Sequence, residues 1–193
     1  MQLTVVTPPE VEPVSIAEFF ADRRVTEPTA DERAAAARVI AAARGHVEQY
    51  TRRALITQRL RVETAGRWVA APVRLLRLPV ASIALVEVDG VEMGASDYEA
   101  HLTHGQLWPA VGGVNSYPTQ WLTASSYARR VVVEYVAGYG PAPEDVPEPL
   151  RQAVLRVAGD LWEHREDTIT GTNVGEVSVT AAALMNPFKV FLA

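Results

Sequence analysis

Apolar and polar residues in the first quarter of the chain follow a helical pattern. An S-x-x-E sequence at residues 15–18 and a T-x-x-E sequence at 29–32 have the spacing of capping boxes, in which two side chains satisfy free backbone N–H groups at a helix start. The first predicts a short helix ending near Arg24, and the second predicts a longer helix ending near Arg52. The apolar stripe of the longer helix recurs at i, i+3, i+4 and i+7 and comprises Ala36, Val39, Ile40, Ala43, Val47 and Tyr50.

From residue 60 the period changes to that of strands. The predicted strands are LRVET, VRLLRL, IALVEV, a return strand through Val91 and Met93, segments at 98–102 and 106–108, and RRVVVEYV. IALVEV runs directly into Asp89 and Gly90, a pair that tolerates positive φ and is the strongest short signal for a two-residue hairpin. Residues 109–129 predict only a loop, whose length suggests a function or an induced fit.

A glycine-rich joint precedes the third main helix. Gly138 and Gly140 lead into Pro141 and Pro143, which lack the N–H groups that a phosphate-binding loop uses, and nearby carboxylates would repel a phosphate. We therefore interpret the joint as a structural connection. The helix after Pro147 carries apolar residues over a sector of about 160°, wider than one core requires. Its surplus residues, Leu155 and Trp162, either contact a second body or are buried within the same domain.

These patterns predict an α+β fold. We expect one domain over residues 1–193, with a helical core of three main helices and a short C-terminal helix. An antiparallel β insertion over residues 56–140 separates the second main helix from the third. Asn186 and Pro187 stop the last helix, and the apolar residues after them, in the tail 183–193, either bind a partner or dock on their own domain.

Composition argues against a dedicated nucleic-acid binder and against sites that need cysteine, and the sequence motifs argue against catalysis and metal binding. The net charge is −5, cysteine is absent, and no stretch is apolar enough to span a membrane. Among the four histidines, His101 and His104 are predicted on opposite faces of a strand. His46 and His164 are predicted beside the apolar faces of their helices. No sequence motif of an active site, cofactor site or metal site is present, so we predict a non-enzyme without cofactors.

Four segments in this order resemble the head-tail connector, or adaptor, family of tailed bacteriophages, prophages and gene transfer agents. They are PVSIAEFFADRRV, AARGHVEQYTRRALITQRLRV, LPVASIALVEVDG and VEYVAGYG followed by DVPEPLRQAVLRVAGDLWEHRE. The resemblance extends over about residues 13–190, and the order and spacing of the segments make it specific. Phe19, Phe20 and the loop 109–129 depart from the family pattern.

The resemblance implies a structural virion protein of the neck, assembled in the bacterial cytoplasm. Family members form an oligomeric ring, generally of twelve copies, beneath the portal protein; the ring extends the DNA channel and docks the next tail-side or stopper protein. The C-terminal segment of relatives grips the portal. Carried onto this sequence, the portal anchor comprises Met185, Phe188, Val190, Phe191 and Leu192. From the helical pattern, Leu155, Trp162 and the alanine-rich second main helix are the candidate ring contacts.

Other functions remain open. A tail-completion or stopper protein of the neck would share the ring but contact the tail. A DNA-packaging accessory protein would use the arginine pairs, which are Arg23 with Arg24, Arg52 with Arg53 and Arg129 with Arg130. An unrecognised hydrolase would need a pocket around His101, His104 or His164.

Overall fold

A computed structural model describes most of the chain, and it is α+β, with four α-helices and antiparallel sheets among the described residues. The described residues are 1–67, 69–110, 116–117, 120–121, 128–163 and 179–191. Two compact units share the chain. The β unit comprises 1–9 with 57–139, and the helical unit comprises 10–56 with 140–193.

The helical unit contains α1 (Ile16–Asp22), α2 (Ala30–Thr51), α3 (Glu148–Glu163) and α4 (Val179–Met185). Both predicted capping boxes are present, at Ser15 with Glu18 and at Thr29 with Glu32. The α2 helix ends where Arg52 adopts a left-handed conformation with φ 57°. A short 3-10 turn, Asn186–Phe188, follows α4 directly, as Asn186 and Pro187 predict.

The core of this unit lies where α2, α3 and α4 pack together. Ala36, Ile40, Ala43 and Val47 of the predicted α2 stripe are buried. Glu48 is also buried, although a charged side chain is expected to lie at the surface. Its carboxylate accepts a hydrogen bond from the backbone N–H of Leu55 at 2.9 Å and pairs with Arg44 at 3.3 Å, so the buried charge is compensated.

The β unit contains ten strands among its described residues. They are β1 (Gln2–Thr7), β2 (Gln58–Ala65), β3 (Val73–Arg74), β4 (Val80–Val88), β5 (Val91–Glu92), β6 (Tyr98–His101), β7 (Gln106–Pro109), β8 (Ser116–Tyr117), β9 (Gln120–Trp121) and β10 (Arg130–Ala137). The main sheet has the order β1-β2-β10-β4-β5, and its neighbouring strands are all antiparallel. Smaller sheets have the orders β3-β7-β6 and β8-β9.

Four features of this unit differ from the sequence prediction, and one is that the two-residue strands β8 and β9 lie in the segment 109–129, which was predicted as a loop. The β1 strand was not predicted, and it pairs with β2 as an edge strand. The predicted strand VRLLRL is reduced to the two residues of β3, although Leu75 continues the same register by donating its N–H to the carbonyl of Gly105 at 2.7 Å. The β6 strand ends at His101, so His104 lies in a 3-10 turn and not in a strand.

The predicted hairpin at Asp89 and Gly90 is present. Val88 faces Val91 across the turn, and both turn residues have positive φ, 49° for Asp89 and 88° for Gly90. The carboxylate of Asp89 also accepts hydrogen bonds from the backbone N–H groups of Arg129 and Arg130, the latter at 2.7 Å. One residue therefore joins the hairpin to the start of the central strand β10.

One face of the main sheet forms the core of the β unit. Leu60, Val62, Val131, Val133 and Tyr135 are buried on this face. The Tyr135 hydroxyl accepts a hydrogen bond from the backbone N–H of Arg77 at 3.2 Å. Burial raises the pKa of this hydroxyl above its ordinary value, so Tyr135 stays neutral and serves as a packing residue.

The glycine-rich joint is a structural connection. Gly138 has φ 142°, a conformation open to glycine. A Cβ at Gly140 would lie 2.6 Å from Cβ of Asp145, whose carboxylate accepts the N–H of Ala142 at 2.9 Å. The glycines thus allow a tight turn closed by an aspartate, and no phosphate is needed to explain them.

Candidate partner-binding surfaces

The C-terminal segment is held on the end of α2 by polar contacts. Val190 donates its backbone N–H to the carbonyl of Thr51 at 3.0 Å, and Arg53 donates to the carbonyl of Phe188 at 2.6 Å. Tyr50 donates its hydroxyl to the Asn186 side chain at 2.8 Å. These three bonds bind residues 186–190 to the helical unit.

Side chains of this segment differ in their availability to a partner. Met185 is fully buried within the protein, and Phe188 and Val190 are half-buried. Phe191 is 80% exposed, the largest exposed fraction among the large hydrophobic residues that the structure describes. Leu192 lies outside the described residues. The surface that the segment offers is therefore centred on Phe191.

A cation lies close to this aromatic side chain. The Lys189 ammonium is 4.5 Å from the centroid of the Tyr50 ring and 6.0 Å from that of the Phe191 ring. A cation over an aromatic face is attracted by the ring quadrupole. Lys189 thus adds a positive charge beside an exposed apolar group.

Leu155 and Trp162, the α3 residues predicted to lie outside the sector that packs on one core, have different surroundings. Trp162 is half-buried and packs edge-on against Phe19 and Phe20, with centroid distances of 5.5 Å and 5.8 Å. Leu155 is half-buried, and Leu161 is 43% exposed. Much of the Trp162 surface is therefore used inside the helical unit, by the two phenylalanines that depart from the family pattern.

The α1 helix is fixed to α3 by charge. Arg151 pairs with Glu18, and it also donates to the carbonyl of Pro13 at 3.0 Å. The hydrogen bond from the Ser15 backbone is the largest cause that lowers the pKa of Glu18; burial opposes it, and the Ser15 hydroxyl and Arg151 lower the pKa further. The carboxylate is thus anionic at neutral pH in its capping position.

Charged residues cover the second face of the main sheet. Glu134 on β10 pairs with Arg59 at 2.7 Å and with Arg61 at 3.5 Å, both on β2. Arg130 pairs with Glu63 at 2.7 Å and with Glu87 at 3.4 Å. Its hydrogen bond to Glu63 lowers the pKa of that carboxyl and raises the pKa of Arg130. Three cations and three anions balance here, so the face is not a basic patch.

Neither this charged face nor the edge strand β1 was predicted from the sequence. The signal for the face was available, because Arg59, Arg61 and Glu63 recur with a period of two and share one side of a strand. The signal for β1 was weaker: QLTVVT is uncharged and rich in β-branched residues, but it shows no alternation of charged and apolar residues. Prolines at 8 and 9 mark its end.

The histidines do not form a site among the described residues. His46, His101 and His104 are exposed, and His164 lies outside the described residues. No group of three or more potential metal ligands occurs within the described part of the chain. Over the same residues, none of the helices is long and apolar enough to cross a bilayer.

Comparison with known proteins identifies the fold. Three solved structures match over the whole chain and over 97% of their own chains. The neck of an empty gene transfer agent particle, computed with C6 symmetry, gives 24% identity and a TM-score of 0.74. The virion of a native gene transfer agent particle gives 27% identity and a TM-score of 0.70. The neck of a native particle, computed with C12 symmetry, gives 23% identity and a TM-score of 0.70.

The resemblance inferred from the four sequence segments is thereby confirmed in the fold. Neither a family model nor a curated protein sequence matches the chain. The similarity is therefore carried by the three-dimensional structure and by the order of short segments.

Proposed function

We propose that the chain is a structural, non-enzymatic head-to-tail adaptor of a phage or phage-like particle. Copies form a ring beneath the portal protein, extend the DNA channel and dock the next tail-side protein. The observation that carries this proposal is the match of the whole chain to chains from the neck and virion of gene transfer agent particles. Both units are matched, so the proposal concerns the entire chain.

Symmetry of the similar structures supports a ring. Two of them are necks computed with C6 and C12 symmetry. A closed ring requires a head-to-tail interface, in which two different patches of the same chain meet. We assign twelve copies to the ring, with Leu155 and the exposed edge of Trp162 among the residues at the contact.

Electrostatics supports a conduit rather than a DNA-binding protein. Each copy carries a net charge of −5, so a ring would repel the DNA backbone and let it pass. At least one arginine of each sequence pair already has a partner in the chain. Arg23 pairs with Glu163, Arg53 bonds to Phe188, and Arg130 pairs with Glu63. The arginine pairs therefore favour the adaptor over a DNA-packaging accessory protein.

The C-terminal segment is the proposed portal anchor. Phe191 supplies the exposed apolar side chain and Val190 holds the backbone beside it. Met185 is buried in the helical unit, so we assign it the role of fixing the segment to that unit and not of contacting the portal. Phe188, Val190 and Leu192 complete the proposed anchor.

Removal of the chain from a particle-producing cell tests this function. We expect DNA-filled heads that carry a portal but no tail, and recovery of tails when the chain is supplied again. A stopper or tail-completion protein would also give tailless heads, so the purified chain is then tested against the isolated portal. Binding to the portal supports an adaptor; binding only to the tail would assign the chain to the tail-completion class. Normal particles without the chain would overturn the proposal.

A further inference from the structure

The β1 strand has an unpaired edge with an unusual composition. It lies at one end of the main sheet and pairs with β2 on one side, and no described strand pairs with its other side. Its sequence QLTVVT contains no charge, no proline and no glycine. Edge strands of natural proteins are usually protected by charge, by proline or by a covering element, because a free edge pairs with other chains. Among the described residues, a register shift between Val5 and Thr7 is the protective feature that the β1 ladder shows.

The apolar face of the sheet continues onto β1, where Val5 is more exposed than the residues of β2 beside it. Val5 faces Leu60 across the ladder, and Leu3 faces Val62. Leu60 is 1% exposed and Val62 is fully buried, whereas Val5 is 51% exposed. One strand spacing thus separates the buried core from an exposed apolar side chain, so a strand added beside β1 would extend the buried face of the sheet.

The opposite side of the sheet offers a second edge, which β5 covers only in part, although the 3-10 turn at residues 102–104 also lies near β4. The β5 strand covers only the end of β4, by pairing at Glu87 and Val88 and by a hydrogen bond from Met93 to Val86. Residues 81–85 of β4 have the uncharged sequence ASIAL and no described strand pairs with them on the β5 side. Ala81, Ser82 and Ala84 are exposed. This edge is close to β1 in length and likewise carries no charge.

Strand directions permit the two edges to pair between copies. Each step in the order β1-β2-β10-β4 is antiparallel, so β4 runs opposite to β1 within one sheet. A head-to-tail neighbour of similar orientation therefore presents β1 antiparallel to β4. An isologous pairing of β1 with β1 would end at a dimer, and it would not build a ring.

Matching of the two faces sets the register. Leu3 lies on the apolar face opposite Val62, and Ile83 lies on the same face opposite Tyr135. Thr4 lies on the charged face opposite Arg61. Ser82 lies on that face too, because its partner Val136 also pairs with Arg59. An antiparallel pairing that places Leu3 opposite Ile83 also places Thr4 opposite Ser82, so one register satisfies both faces at these two positions, which lie between the irregularities of β4 at Ala81 and Ala84.

We propose that β1 of each copy adds to the free edge of β4 in the next copy, which joins the main sheets of neighbouring copies around the ring. The inference rests on the proposed ring and names one of its interfaces. Backbone hydrogen bonds supply affinity, and burial of Leu3 and Val5 against the neighbouring sheet supplies specificity.

The absence of cysteine makes a disulfide test direct. In the double variant Thr4→Cys with Ser82→Cys, opposed Cα atoms of an antiparallel pair would be about 4.5–5.5 Å apart, within the range that a disulfide spans. Within one copy the two positions are separated by three strand spacings, about 14 Å, so the bond can form only between copies. Both substitutions replace exposed hydroxyl residues.

We expect purified particles of this double variant to give a ladder of dimers, trimers and higher species on a non-reducing gel. Each single variant should give no ladder, since one cysteine per copy links at most two chains. The matched control pairs Thr4→Cys with Ser96→Cys, an exposed serine outside both edges, and should also give no ladder.

Failure of this interface can be separated from failure of the proposed function. If the double variant is present in the particle neck but links no better than the control, strand addition is wrong and the adaptor role stands. If the natural chain is also absent from particles, the adaptor role is wrong. The same oxidation is then carried out on the free double variant at high concentration. A ladder there sustains strand addition, and its absence overturns it.

A charge on the edge gives an independent test. Val5→Lys places a charge at the proposed interface and should reduce incorporation into particles at least tenfold. Val11→Lys makes the same change at a valine of similar exposure, 42%, outside the sheet, and should incorporate normally. Both variants should show unchanged circular dichroism. Equal incorporation of the two variants would contradict the proposal.

Discussion

Gly159 of α3 lies directly against the guanidinium group of Arg23. A Cβ added at position 159 would be 1.8 Å from Nη2 and 2.3 Å from Cζ of Arg23. Arg23 also pairs with Glu163, one turn further along α3. A glycine inside a helix is unfavourable by about 1 kcal/mol relative to alanine, and its presence here is explained by the space that Arg23 occupies.

This relationship predicts strong coupling between the two positions. In an Arg23→Ala background, Gly159→Ala should stabilise the protein by about 1 kcal/mol, because only helix propensity changes. In the natural background the same substitution displaces Arg23 and should bring no such gain. Urea denaturation of the four proteins of the cycle measures the coupling. Equal effects of Gly159→Ala in both backgrounds would show that Arg23 does not occupy this space.

Glu18 should make the stability of the helical unit depend on pH. Its pKa is lowered in the folded protein, chiefly by the hydrogen bond from the Ser15 backbone. The stabilisation is therefore present at neutral pH, above the usual pKa of about 4.3, and is lost as the pH falls through the lowered folded-state pKa.

Glu18→Gln should accordingly destabilise the protein at pH 7, and the difference from the natural protein should shrink below about pH 4. The midpoint of thermal unfolding at a series of pH values measures this change. Glu10→Gln, at an exposed carboxylate outside the helices, is the control. A difference that stays constant with pH would contradict the assigned role of Glu18.

Asp89 should be the most sensitive position of the hairpin. Asp89→Ala removes the acceptor for the N–H groups of Arg129 and Arg130 and places a less tolerant residue at positive φ. We expect a loss of about 1–3 kcal/mol in the free energy of unfolding. Asp89→Asn retains an acceptor oxygen and a tolerance of positive φ, and it should lose less. Equal losses for both variants, measured by urea denaturation, would contradict this account.

Phe191 should carry the contact with the portal. Removal of residues 186–193 is expected to leave a folded chain that no longer binds portal, but it also removes the bonds to Tyr50, Thr51 and Arg53. Phe191→Ala is the sharper variant, because it removes only an exposed ring. It should weaken binding to isolated portal by at least tenfold in a sedimentation or interferometry assay, while Val11→Ala should bind normally. Unchanged binding of Phe191→Ala would remove this residue from the anchor.

Local signals predicted the helical unit well. The capping boxes at Ser15 and Thr29 depend on residues three apart, and the stripe from Ala36 to Val47 depends on helical period, so both can be read without knowledge of the fold. The hairpin at Asp89 and Gly90 is equally local.

Long-range pairing was less predictable. Nothing near Gln2–Thr7 indicates that it pairs with β2, which follows some fifty residues later. The burial of Glu48 depends on the N–H of Leu55 and on Arg44 together, and the position of Trp162 depends on Phe19 and Phe20 in another helix. For the candidate surfaces, sequence identified the C-terminal segment, but only the structure separates exposed Phe191 from buried Met185.

Electron cryomicroscopy of purified particles would show whether this chain lies in the neck. We expect a ring of density between portal and tail into which both units of this chain fit, with the segment around Phe191 directed at the portal. Complete, tailed particles whose neck holds no density for this fold would contradict this expectation.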